Sequence, residues 1–423
     1  MKKVRKFKAA VALGSLTAAV ALFAGAPDAN AQTAPGGGSF PGSFLVPGTN
    51  TSIKVGGYVK IVGIYDMSAR GGATNDVDGI PLEGSANHTL HGALNFHARQ
   101  STIAVDTRTP TAYGDLTTFF TIDAFGSQAA QGENTSNTQN MRVNLAYGTL
   151  GGFLAGQAVS LWADNDAVIE SVDPTGHVAT MDGLSQRQPQ FRYTYAMPNG
   201  ISIAGSIENP EAEGISSAGA PFTTNSGGSL GGIDRVPDFV ARGRIDQAWG
   251  HFALTGLYRD LKVIAPAVAR IHKNAYGIEG SGHINTFGKD ALKFTVMWGK
   301  GLGHYMSNMR DTASNALQAD LATGAATVAT SYGANIGYTH WWTTALRSSA
   351  EIGLAKFHNN TGIFATAAAL TNVERRQLAA RANLIWSPVP QVDLGIEYFY
   401  ARRTTETSKG NANRLEVESV FKF

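Results

Sequence analysis

Between Ser52 and Asp66 the chain reads SIKVGGYVKIVGIYD, and taken in steps of two it separates into two faces. Ile53, Val55, Gly57, Val59, Ile61, Gly63 and Tyr65 form one; Lys54, Gly56, Tyr58, Lys60, Val62, Ile64 and Asp66 form the other. Period-two amphipathicity of this kind predicts a β-strand. Strands of soluble domains average about 5–6 residues, whereas a tilted strand crossing a bilayer needs about 9–11, and this stretch has the greater length. The pattern recurs. LTTFFTIDAF sets Leu116, Phe120 and Ile122 against Asp115, Thr117, Thr121 and Asp123, and MRVNLAY places Met141, Val143, Leu145 and Tyr147 opposite Arg142 and Asn144. QFRYTY stacks Phe191, Tyr193 and Tyr195 opposite Arg192, and VDLGIEYFY alternates Val392, Leu394, Ile396, Tyr398 and Tyr400 with Asp393 and Glu397.

Counted throughout, the pattern predicts sixteen strands, near 52–66, 94–109, 115–125, 140–148, 153–161, 188–196, 201–208, 237–247, 251–262, 273–285, 290–299, 331–341, 344–356, 377–386, 391–402 and 412–423. Short connections such as PTAYG, TLGG, MPNG and SPVP alternate with long ones at 67–93, 162–187, 209–236, 300–330 and 357–376. A soluble sandwich would have shorter strands and would need a second sheet over its apolar faces. In a membrane every backbone group must be paired, which favours closure. The expected fold is all-β: a sixteen-stranded antiparallel transmembrane β-barrel with short periplasmic turns and long extracellular loops. The chain ends inside a two-faced strand, RLEVESVFKF, so Phe423 is expected to take part in closing the barrel against the first strand.

Residues 1–31 read as a cleaved secretory signal peptide, with Lys2, Lys3, Arg5, Lys6 and Lys8 ahead of an apolar run and Ala29-Asn30-Ala31 as the cleavage site. Residues 32–51 are then a short periplasmic lead-in and 52–423 the barrel domain. Without the signal, the formal charge of +2 becomes −2, which removes any basic attraction to nucleic acid. Cysteine is absent, excluding disulfides, thiol catalysis and thiolate metal sites. No cofactor and no metal site is expected.

The face opposite the apolar set would line a lumen, and a sixteen-stranded barrel is wide enough to leave it aqueous. Many charges there simply pair across neighbouring strands. Arg142, Arg192, Arg242, Arg244, Arg381 and Lys60 are the candidates for meeting a solute, because rings of charge select by sign and guanidinium groups suit carboxylates. This points to small anionic solutes as cargo, with outer-membrane lipid around the barrel. The loop at 162–187 carries Asp164, Asp166, Glu170 and Asp173, and lacks the glycine and spacing of an EF-hand. It is expected to fold into the barrel as a constriction loop facing the arginines.

No motif in the chain establishes an enzyme: there is no H-E-x-x-H, and GKGLGH at 299–304 lacks the features of a phosphate-binding loop. The chain is read as a non-enzymatic diffusion channel. The alternatives are a lipid-hydrolysing barrel enzyme, with a Ser/His pair formed only in space, and a surface adhesin or scaffold presenting its long loops.

The sequence resembles the DcaP-like family of Gram-negative outer-membrane porins. The likeness is carried by PGTNTSIKVGGYVKIVGIYD (47–66), DTRTPTAYGDLTTFFTIDAFG (106–126), AYGTLGGFLAGQAVSLWAD (146–164), RQPQFRYTYAMPNGISIAGSIENP (187–210), LKFTVMWGKGLGHYM (292–306) and VDLGIEYFYARR (392–403). It implies a homotrimeric porin for small, mostly anionic organic solutes, with Arg142 and Arg192 in or beside matching blocks. It also implies that the outer-membrane assembly machinery reads the terminal aromatic, Phe423. Two departures stand out: QTAPGGGSFPGSF has no heptads where relatives carry a coiled coil, and Thr102 stands where members tend to have arginine.

Overall fold

The computed structural model describes residues 37–126, 139–179, 186–224, 234–264, 270–306 and 316–423. The expected signal peptide, residues 1–31, lies outside these. Sixteen strands form the barrel: β1 (Ser52–Ser68), β2 (Ala93–His97 continued by Thr102–Thr111), β3 (Gly114–Asp123), β4 (Arg142–Leu150), β5 (Phe153–Val159), β6 (Arg187–Ala196), β7 (Ile201–Glu208) and β8 (Asp238–Gln247). The series continues with β9 (Gly250–Val263), β10 (Ile271–Asn285), β11 (Ala291–Lys300), β12 (Thr330–Trp341), β13 (Leu346–His358), β14 (Glu374–Val389), β15 (Val392–Thr405) and β16 (Lys409–Lys422). Each strand pairs antiparallel with the next, and β16 returns to β1 with Tyr58 opposite Lys422 and Asp66 opposite Arg414. Closure removes the unpaired edge that lipid would penalise.

Alternation along each strand sorts the side chains. Val55, Val59 and Ile61 of β1 face outward, whereas Lys60, Val62, Ile64 and Asp66 are buried within the lumen. Two local departures shift this parity. The strand expected at 94–109 is interrupted at Ala98–Ser101, where Arg99 and Gln100 are buried and Gln100 Nε2 reaches Asp173. A register shift in the β3–β4 ladder skips Asn144, so Leu145 lies opposite Thr121 and Tyr147 opposite Phe119. Leu145 and Tyr147 therefore stand on the lumen side, not the lipid side that simple alternation predicts, because a bulge inverts the parity of every residue beyond it.

The wall is uneven. Strands β3 to β8 have 7–10 residues, whereas β13 to β16 have 13–16. Above β9 and β10, the short extracellular strands Glu213–Ser216, Pro221–Thr223, Leu317–Ala319 and Ala326–Val328 form a separate four-stranded sheet, which no sequence periodicity announces. Its apolar side packs Ala212, Phe222, Leu317 and Ala319 on Leu261, Val263, Ile271 and Ala275.

Arg259 ties the sheet down. Its buried guanidinium donates to Glu213 at 2.9 Å, Asp238 at 3.1 Å and the carbonyls of Gly301 and Leu302 at 3.0 and 2.8 Å. Burial pushes the Glu213 carboxyl up, but the charges of Arg259 and His304 overcome this and hold it well below the usual glutamate range. A depressed carboxylate contributes stability that is present above its unfolded value and lost only as pH falls through the lower folded value. The sheet should therefore resist surface proteolysis equally at pH 7 and pH 5. A Glu213→Gln chain should be clipped in 209–224 or 316–329 already at pH 7.

Candidate functional site

Ser160–Ala179 leaves the top of β5 and runs through the lumen along the inner faces of β8 to β15. Its apolar side chains choose this path. Leu161, Trp162, Ile169, Val172, Val178 and Ala179 are buried, and Leu161, Trp162, Val178 and Ala179 join the inward Val240, Leu257, Met297 and Phe399 in one apolar cluster. They settle against glycines: a Cβ on Gly333 would overlap Ala179, and one on Gly353 would overlap Val178. Missing side chains on the inner wall thus open the space that the loop occupies.

Polar groups fix the register. Lys293 Nζ donates to the Val168 carbonyl at 2.7 Å, Asn383 to the Glu170 carbonyl at 2.8 Å and Asn335 to the Val178 carbonyl at 3.0 Å. Arg381 donates to the Asp173 carbonyl at 2.8 Å and the Thr175 carbonyl at 2.7 Å, while facing Glu397 at 3.3 Å and Glu351 at 3.5 Å. Lys60 Nζ donates to the Val172 carbonyl at 2.6 Å and pairs with Glu418 at 2.9 Å. His177 meets Glu351 at 2.7 Å.

The acidic side chains of the loop also meet the wall. Asp164 accepts from His251 at 2.8 Å and Ser281 at 2.6 Å, with Arg244 at 3.5 Å. Burial pushes its carboxyl up, but those hydrogen bonds and neighbouring positive charge hold it well below the usual range. Asp166 pairs with Arg244 at 2.7 Å, and Glu170 accepts from Nε and Nη2 of Arg347, each at 2.6 Å. Asp173 accepts from the backbone of Thr175 at 3.0 Å.

A cavity of about 710 Å³ remains between this loop and the wall. Tyr58, Lys60, Thr102, Asp123, Arg142, Asn144, Glu170, Ser171, Asp393, Glu418 and Lys422 contribute to its lining. Five ion pairs stand around it, and in three of them the basic partner is the more exposed, Arg347 being the less exposed in its pairs with both Glu170 and Asp393. The Arg142 side chain is 28% exposed and its Asp123 partner 4%; Lys422 is 46% exposed and Asp393 9%. Lys60 likewise exceeds Glu418, whereas Glu170 exceeds Arg347.

The six basic candidates fall into separate places. Arg142 and Lys60 line the cavity. Arg192 bonds Gln190 and the Val159 carbonyl, Arg242 bonds the Thr255 hydroxyl, and neither has an ion-pair partner among the described residues. Arg244 faces Asp164, Asp166 and Asp246, and Arg381 is buried under the loop. Arg347 and Lys422 belong to the site but are not among those candidates. Lys422 is the penultimate residue, where nothing in its neighbours marks a lumen function. The inward glycines of SYGANIGYTH were the legible sign that something packs on that wall.

The sequence profile described as DcaP outer membrane protein matches residues 45–423. The chain belongs to that family. Among solved structures, the chain is similar to the crystal structure of the outer membrane channel DcaP of Acinetobacter baumannii, with a TM-score of 0.74 at 19% identity, over 90% of this chain and 99% of that one. It is also similar to an anion-selective porin from Comamonas acidovorans (TM-score 0.54, 11% identity, 88% and 100% covered) and to OmpT, an outer membrane protein of Vibrio cholerae (0.53, 11%, 90% and 99%). At these identities the solved structures support the barrel fold alone. No curated protein matched. Family and fold together make this an outer-membrane porin.

Proposed function

We propose that this porin passes small hydrophilic solutes and favours small organic anions such as carboxylates. The observation carrying the reading is the asymmetry of two ion pairs at the cavity, which leaves Arg142 and Lys422 open to the solute while their carboxylates, Asp123 and Asp393, are buried. Arg192 and Arg242 bond neutral groups and add positive charge to the wall. Fixed positive charge lining a pore lowers the barrier to anions and raises it to cations. The part of the 162–187 loop that is described, residues 162–179, acts as the constriction, with Asp164, Asp166, Glu170 and Asp173 committed to anchoring it. The working unit is a homotrimer, its copies meeting across the low wall of β3 to β8. The assembly machinery recognises the chain through Phe423.

Reversal potential across a planar bilayer under a salt gradient tests this. The wild type should be anion-selective, and Arg142→Ala, Arg192→Ala and Arg242→Ala should each move the potential toward cations. Cation preference in the wild type overturns the solute reading, and absence of conductance overturns the channel itself.

A further inference from the structure

The outer face of the tall wall carries a charge pattern that the pore does not use. Ladder register sets Tyr276 opposite Lys300, Tyr332 opposite Lys356, Lys356 opposite Arg376, Arg376 opposite Thr404 and Thr404 opposite Lys409. Arg402 lies one step away, opposite Leu378 and Asn411. All share the outward parity of Trp298, Leu354, Leu378 and Tyr400, so they form a row on the outside of β11 to β16. Lys356, Arg376 and Arg402 are exposed and Lys300 half-buried. Lys409 meets Glu83 at 3.6 Å, whereas Lys300, Lys356, Arg376 and Arg402 have no ion-pair partner among the described residues.

Height places the row. On β14, ten residues separate Trp386 at the periplasmic side from Arg376, a rise of about 25 Å for a tilted strand, which is about the height of a barrel's apolar band. Tyr276 and Tyr332 stand level with Lys300 and Lys356, and Trp298, Tyr400 and Tyr398 lie just beneath on the same face. The four unpaired cations thus stand at the headgroup level of the outer leaflet, over about 20 Å of perimeter. Outward positions toward the extracellular ends of β2, β4, β7 and β8 are instead Leu94, Phe96, Val143, Ile207 and Phe239.

We propose that Lys300, Lys356, Arg376 and Arg402 form a binding site for the phosphorylated glycolipid of the outer leaflet. Its phosphates pair with the basic row, Thr330, Thr404 and Asn411 lie within the row to hydrogen-bond its sugars, and its acyl chains lie on the apolar band below. Charge complementarity selects this occupant: a zwitterionic lipid offers no net anion to four clustered cations. The site is independent of solute selectivity, since the pore and the row lie on opposite sides of the wall.

Equilibrium binding of fluorescent diphosphoryl lipid A to the purified protein in neutral detergent tests it. Relative to wild type, the Lys300→Gln, Lys356→Gln, Arg376→Gln, Arg402→Gln chain should bind roughly a thousandfold more weakly. Dephosphorylated lipid A should bind the wild type as weakly as diphosphoryl lipid A binds the variant. Unchanged single-channel conductance shows that the variant is folded; if it fails to insert, Lys356→Gln and Arg376→Gln singly carry the test, each with a several-fold loss. Equal binding by wild type and variant, or by the phosphorylated and dephosphorylated lipids, overturns the proposal.

Discussion

Replacing Arg381 by alanine should release the lumen loop and give a channel of higher and noisier conductance. Arg381 is buried beneath the loop and supplies the positive charge facing Glu351 and Glu397, while binding the Asp173 and Thr175 carbonyls. Removing one partner from a buried charge network costs about 3–5 kcal/mol, because the remaining carboxylates lose their compensation. Here the protein has a cheaper response than unfolding. The lumen is open to water, so lifting the loop lets water solvate Glu351 and Glu397 at the expense of the contacts of Ile169, Val172 and Val178. The ladders that hold the barrel, including those of β14 with β13 and β15, do not involve the Arg381 side chain. Arg381→Ala should therefore insert and conduct, with larger single-channel steps and frequent transitions. A conductance trace indistinguishable from wild type would mean that the loop does not limit the current.

Gly333→Val should reach the same end by sterics alone. A Cβ at this position overlaps Ala179, and its other close neighbours are the side chains of Met297 and Met306, which can move. The charges around Arg381 remain intact, so agreement between the two variants would attribute the change in current to the loop itself. An increase in Arg381→Ala alone would instead point to loss of the charge.

The alternation of Val55, Val59 and Ile61 with Lys60 and Asp66 was enough to read the barrel, because lipid outside and water inside impose opposite demands on successive residues. The same rule fails wherever the backbone breaks step. Tyr147 changes face after a single extra residue, and Ala98–Ser101 leaves the ladder altogether. Periodicity carries no record of a bulge, since the residues on either side remain correctly alternating. The site was legible in type and less so in assignment. Arg142 and Lys60 line the cavity, yet Arg381, of identical parity, lies under the loop. What separates them is where a long-range segment docks, and strand-local patterning contains only an indirect trace of that in glycines such as Gly333 and Gly353.

Deletion of Phe423 should lower the amount of assembled protein several-fold and leave the conductance of whatever inserts nearly unchanged. The residue extends the closing ladder by two backbone hydrogen bonds, from its own N–H to the Gly57 carbonyl at 3.1 Å and from the Gly57 N–H to its carbonyl at 3.2 Å. Two such bonds contribute about 2 kcal/mol together, small beside the paired residues from Tyr58–Lys422 to Asp66–Arg414 that already close the barrel. Nor does the ring secure the fold by packing, since Phe423 is 65% exposed. Lys422 would become the terminal residue while its ammonium still faces Asp393 at 2.6 Å, so the pore lining changes little. Under the proposed recognition role the ring acts during assembly and contributes little to the finished barrel. Quantifying heat-modifiable protein in isolated outer membranes, alongside planar-bilayer recordings of the purified remainder, separates the two effects. Wild-type membrane levels of the truncated chain would rule out the recognition role, and a large fall in conductance with normal levels would assign Phe423 to closure instead. Phe423→Tyr, which keeps an aromatic ring at the same position, should restore assembly, whereas Phe423→Ala should behave as the deletion does.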